Sequence, residues 1–199
     1  MKKKKILIGL IVICVITVLY FVYRNVFNSS KLCTPNDSVV SIIETGDLVF
    51  SVGESTKSDV VRIFSHNECD YSHVGIVIKL DDDNFRIVHM SSDLGYIASQ
   101  SLGDFIKTAD SSELGFYRFK KQVDKTKIET AVDSLVKLNK EFDDDFNLIE
   151  DEKYYCTEFI YKLLRDIKSD IYYDIKCDRH LLPDDLISSE ILYKVTDIK

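Results

Sequence analysis

Ser72-His73-Val74-Gly75-Ile76-Val77-Ile78-Lys79-Leu80 is a β-branched run, followed by the polar Asp81-Asp82-Asp83-Asn84 and then by Phe85-Arg86-Ile87-Val88-His89-Met90. Strand, polar turn and strand read as a β-hairpin. Each arm carries a histidine, His73 at the start of the first and His89 near the end of the second. The loop decides whether they meet. An even loop, Asp81–Asn84, pairs residues whose numbers sum to 165 and puts the two imidazoles on opposite faces. An odd loop, Asp81–Asp83, gives a sum of 164, sets His89 opposite Gly75 and puts both imidazoles on one face.

Outward from the hairpin, other segments read as regular elements. Gly46-Asp47 opens a short strand, Leu48-Val49-Phe50. Ser58–Phe64 has Val60, Val61 and Phe64 spaced for one face of a helix. Gly115–Phe119 and Ile191–Thr196 read as strands, and Ile128–Asn139 as an amphipathic helix. In the next helix, Cys156, Phe159, Ile160, Leu163 and Leu164 fall at i, i+3, i+4, i+7 and i+8, a single apolar stripe headed by a cysteine. Strands grouped centrally and flanked by helices define an α+β class.

The chain has 199 residues, 45% hydrophobic and 30% charged, with 7 Gly and 2 Pro, a globular balance without long Gly/Pro linkers. Its net charge is −7, a poor match for a phosphate backbone, so nucleic-acid binding is not expected. The charge is unevenly spread. Lys2–Lys5 and Arg24 are the only charges in residues 1–30, which leaves 21 bases against 33 acids in the rest. Between them Ile6–Tyr23 is an uncharged apolar run of 18 residues, just long enough to cross a bilayer upright, with Tyr20, Phe21 and Tyr23 at one end. The reading is an uncleaved anchor over 1–26, a polar tether over 27–43 and a catalytic domain over 44–199. The four lysines hold the N-terminus in the cytoplasm and place the domain outside it. A cleaved signal peptide is the closest rival, although no A-x-A-like site follows the run.

Five cysteines are present: Cys14 within the apolar run, then Cys33, Cys69, Cys156 and Cys177, none in a C-x-x-C pair. At a helix N-terminus Cys156 is expected to gain thiolate character from the dipole and the free N–H groups, which would also hold an oxyanion. A thiol is a weak nucleophile at neutral pH unless an imidazole takes its proton and a third group orients that imidazole. Cys156, His73 and His89 would fill these roles. His66 and His180 have no evident partner. Tyr71, Tyr96 and Tyr155 are candidates for lining the substrate cleft. Neither Asp81–Asp83 nor Asp143–Asp145 follows a Ca²⁺-loop pattern, and no phosphate-binding glycine loop is present.

Gly46-Asp47-Leu48-Val49-Phe50, Ser72-His73-Val74-Gly75-Ile76-Val77 and Tyr154-Tyr155-Cys156-Thr157-Glu158-Phe159, with the late Pro183-Asp184-Asp185-Leu186, resemble the permuted papain-like amidases of the YaeF/YiiX type, in the NlpC superfamily. The similarity spans about residues 44–195 and includes the order of the motifs, His before Cys, the reverse of ordinary papain-like enzymes. It implies a small antiparallel sheet packed on the nucleophile helix, with Cys156 as nucleophile and His73 as base. The third position, often Glu in this family, matches His89, as in other NlpC-like and lecithin:retinol acyltransferase-like enzymes. The implied chemistry is hydrolysis or transfer at an amide or ester through an acyl-thioenzyme, with no cofactor or metal. A cell-wall peptide and a lipid-linked amide or ester both fit as substrate. The rival readings are a lipid acyltransferase or thioesterase of the same fold, a Zn²⁺ site built from His73, His89 and Cys156, and a non-catalytic binding module.

Overall fold

Both arms of the hairpin form as strands in the computed structural model, which describes residues 40–53, 56–65, 71–82, 84–108, 113–149, 151–177 and 179–198. The anchor and nearly all of the tether expected at the N-terminus, like Cys14, Cys33, His66 and Cys69, lie outside the described residues. Among the described residues no helix is long and apolar enough to cross a membrane.

The chain runs β1 (Leu48–Ser51), α1 (Thr56–Phe64), β2 (His73–Lys79), β3 (Phe85–Ser91), β4 (Tyr96–Ser101), α2 (Leu102–Thr108), β5 (Leu114–Phe119), α3 (Lys125–Leu138), β6 (Glu141–Phe142), β7 (Lys153–Tyr154), α4 (Cys156–Asp166), α5 (Asp170–Asp174), α6 (Pro183–Ser188) and β8 (Leu192–Ile198). The strands form one sheet in the order β7-β6-β4-β3-β2-β1-β5-β8. It is larger than the small antiparallel sheet the motifs imply, and it is mixed. Two-residue β6 and β7 pair in parallel, because the loop between them carries the chain back to its starting end.

The hairpin has the odd loop. Ile76 pairs with Val88 and Lys79 with Phe85, a register that sums to 164; the ladder ends at Ile76, and Gly75 just beyond it still faces His89. The turn closes by Leu80 N–H donating to the Asn84 carbonyl at 2.9 Å, while the Asp81 carboxylate accepts from Asn84 N–H at 3.0 Å. Gly75 makes room on that face: a Cβ there would lie 3.1 Å from His89 Cβ and 2.9 Å from Ile87 Cγ2.

β2 reads as a continuous apolar run because both faces of the central sheet are covered. On one face Val74, Ile76, Ile78, Val88 and Met90 pack in the same cluster as Phe159, Ile160, Leu163 and Leu164 of α4 and Ile128, Val132 and Leu135 of α3. Each such side chain contributes about 1.5–3 kcal/mol of burial. On the other, Val49, Val77, Ile87 and Phe116 meet Leu102, Phe105 and Ile106 of α2, together with Ile43. The expected one-sided face of α1 is only partly met: Val61 is buried, but Phe64 is 64% exposed, because nothing among the described residues covers the end of that helix.

Local chemistry fixes the helix starts. The Asp124 carboxylate caps α3 by accepting from Thr126 and Lys127 N–H. Pro183 sits in the first turn of α6, and the Asp185 carboxylate accepts from Leu182 N–H at 2.7 Å. Asp47, buried, takes Arg118 Nε at 2.6 Å and Nη2 at 2.9 Å, tying the β1 turn to β5.

Candidate active site

Cys156 is the first residue of α4, entered from Tyr155 in an extended conformation. The Tyr155 N–H is held by the Glu158 carboxylate at 3.4 Å, one half of a capping box, which fixes the angle at which the helix begins. Cys156 is 4% exposed, and the backbone N–H groups of Val74, Thr157 and Cys156 itself favour its anion. Val74 follows His73 in the chain, so the helix tip is seated one residue from His73. The pairing of β2 with β3 runs no further than Ile76, so the N–H of Val74 is turned to the sulfur instead of to β3.

The expected thiolate is not the resting form. Burial pushes the Cys156 thiol up to about 11, and the N–H donors only partly oppose it. The helix terminus supplies partial charges, whereas burial removes the whole hydration of an anion.

His73 Nε2 lies 2.8 Å from His89 Nδ1, and His89 Nε2 lies 3.0 Å from Gln100 Oε1. Phe105 of α2 closes over both rings, with centroids 6.0 Å from His73 and 5.0 Å from His89. Burial, and then the neighbouring His89, hold His73 well below the ordinary imidazole value. Burial lowers His89 to about 4 against the opposing effects of Gln100 and Asp93. At neutral pH both rings are therefore uncharged.

Two of the three tyrosine candidates are placed otherwise than expected. Tyr155 is fully buried; its hydroxyl oxygen accepts from Leu181 N–H at 2.9 Å and its ring packs 5.3 Å from that of Phe146. Tyr71 is buried beside Phe50 and Tyr117. Both are core residues, because large aromatic rings gain more by packing than by lining open water. Tyr96, 44% exposed, opens β4 opposite Ser91, beyond the His89 position. His180 has a partner after all: its Nδ1 lies 2.6 Å from the Phe146 carbonyl, away from the histidine pair. Cys177 is half-buried beside Tyr161. Among the described residues no group of three or more His, Cys, Asp or Glu side chains is arranged to hold a metal ion, since the facing nitrogens of His73 and His89 are spent on each other.

Sequence reasoning missed Gln100 and Phe105, which lie on β4 and α2, two elements without a strong pattern of their own. It also missed a buried charge pair on the helix that Cys156 heads. Glu158 is 0% exposed with Lys162 Nζ at 3.6 Å, and Lys162 also binds the Asp151 carboxylate. Burial raises Glu158 to about 7 against the pull of Lys162. A groove of about 810 Å³ is lined by Val61, Phe64, Phe146, Cys177, His180 and Leu182 among others, and Phe146 also packs on Tyr155.

A cysteine heading a helix against a sheet that carries the histidine pair earlier in the chain is the arrangement of a permuted papain-like cysteine hydrolase. The family described as permuted papain-like amidase enzyme, YaeF/YiiX, C92 family, matches residues 42–184, and the chain belongs to it. The crystal structure of metalloprotein YiiX from Escherichia coli O157:H7 has the same fold, with a TM-score of 0.62 at 16% identity over 78% of this chain and 97% of that one. No curated protein matches the sequence. The protein is a cysteine hydrolase of the amidase type.

Proposed function

We propose that Cys156 is the nucleophile, His73 its base and His89 the group that orients His73, in a hydrolase that cleaves an amide or ester through an acyl-thioenzyme. The observation that carries this reading is the His73–His89 contact at 2.8 Å, one residue before the Val74 N–H that favours the Cys156 anion. In the first half-reaction the thiol proton passes to His73 as sulfur bonds to the carbonyl carbon. Backbone N–H groups at the head of α4 hold the oxyanion. The C–N or C–O bond breaks, the leaving group takes the proton from His73, and an acyl-Cys156 remains. Water, deprotonated by His73, then releases the acid and restores the thiol.

The outward-facing domain, tethered by Ile6–Tyr23, fits a cell-wall peptide or a lipid-linked amide or ester as substrate. Mass spectrometry of the domain mixed with peptide-amide and acyl-ester donors tests the chemistry. The expected result is an acyl mass on Cys156 that is absent from Cys156→Ser; an acyl mass only elsewhere, or none from either donor class, overturns it. A C-terminal alkaline phosphatase fusion reads the topology: activity in whole cells is expected, and an inactive, stably expressed fusion contradicts an outward domain.

A further inference from the structure

The bonds around the histidine pair dictate its tautomers. A carboxamide oxygen only accepts, so Gln100 Oε1 at 3.0 Å requires the proton of neutral His89 on Nε2. His89 Nδ1 is then a bare lone pair. It requires in turn that His73 present Nε2–H across the 2.8 Å contact. What remains on His73 is an unprotonated Nδ1, the one ring nitrogen of the pair left free to take a proton. Were Gln100 absent, either direction of the His73–His89 bond would satisfy the pair. One of the two would protonate His73 Nδ1 and leave no base.

The setting supports the assignment. Gln100 sits on β4 diagonal to His89, with Ala98 directly opposite, so its longer side chain reaches across the space that Ala98 leaves. Phe105 closes the rings from above, so water is a poor substitute for the amide. Gln100 also cannot take up a proton. The charge created when the thiol is deprotonated therefore stays on His73, where the leaving group needs it.

We propose that Gln100 is a positioning residue, which through His89 fixes His73 in the Nε2–H tautomer and so makes Nδ1 the base. The proposal rests on the Cys156–His73 reading for its catalytic meaning, but its primary test does not. Long-range ¹H–¹⁵N correlation spectra of the intact chain at pH 7.5 report which ring nitrogen carries the proton. Wild type is expected to show both His73 and His89 as Nε2–H. Gln100→Leu is expected to turn His73 into a mixture of tautomers and to slow alkylation of Cys156 by about 10- to 100-fold. Gln100→Glu retains an acceptor and tests the same point with an isosteric side chain. A carboxylate stabilises His89 with a second proton taken from solvent, which reverses the bond to His73, and the His73 Nδ1–H form is expected to dominate. His73 carrying its proton on Nδ1 in wild type overturns the proposal without any variant. So does an unchanged His73 signature in folded Gln100→Leu. If instead the spectra behave as expected while His73→Ala leaves Cys156 alkylation unchanged, it is the hydrolase reading that fails.

Discussion

His73 Nε2 and His89 Nδ1 stand 2.8 Å apart on neighbouring strands of one sheet face, a contact that exists because the loop between β2 and β3 has an odd number of residues. One residue more in that loop would turn His89 to the opposite face while leaving every strand in place. The site is thus set by register.

His89→Ala removes the acceptor of the His73 Nε2–H and is expected to lower kcat by about 10- to 100-fold with little change in KM. His89→Gln, which offers an oxygen on a similar reach, is expected to recover part of that loss. Steady-state kinetics on an amide substrate check both.

The pH profile should reflect burial. His73 serves as base only when neutral, so activity is present above its folded-state pKa and lost as pH falls through it. Because that value is depressed well below 6.5, the acid limb of kcat/KM is expected below pH 6.5. Phe105→Ala admits water to both rings, and its acid limb is expected to move upward toward 6.5.

The same depression links stability to pH. His89 titrates near 4 when folded and near 6.5 when unfolded, so the unfolded chain takes the proton first. Stability is complete above pH 6.5 and falls as pH drops toward 4, by about 3 kcal/mol for this group alone. Urea unfolding at pH 7.5 and 4.5 measures the difference, and His89→Ala should reduce it, with buried His73 supplying what remains.

Gly75→Ala places a methyl group 2.9 Å from Ile87 Cγ2 and 3.1 Å from His89 Cβ. Overpacking of this kind costs about 1–3 kcal/mol. The variant should fold, melt lower and lose activity disproportionately, because His89 is among the groups that must move.

Lys162→Met is expected to cost about 3–5 kcal/mol at pH 8, since it leaves Glu158 buried without its counter-charge. Glu158 titrates near 7 when folded, above its unfolded value, so its protonated form favours the fold at low pH and that contribution is lost as pH rises through 7. The penalty in Lys162→Met should therefore shrink at pH 5, and Glu158→Gln in the same chain should relieve it. Thermal melts at the two pH values read both effects.

How much of this was legible in the sequence follows from where the information lies. The Cys156 stripe and the β2–β3 hairpin are strong local patterns, and the parity of the hairpin loop turned one of them into a geometric test. Tyr96–Ser101, by contrast, has only two fully buried positions, Ile97 and Ala98, and becomes a strand because β3 recruits it. With it Gln100 and Phe105 stayed invisible. The sequence also suggested a stabilised thiolate, because a helix terminus can be read from a motif, whereas the burial that outweighs it is a property of the packed fold. Tyr71 and Tyr155 were misplaced for the same reason: composition supplies aromatic rings without saying which way they face.

The most direct test of the account is the rate at which chloroacetamide alkylates Cys156, followed by mass spectrometry at pH 7 with Cys177 as internal reference. The account predicts that His73→Ala slows labelling of Cys156 by about 100-fold or more while Cys177 reacts as before. Equal labelling of Cys156 in wild type and a folded His73→Ala would contradict it.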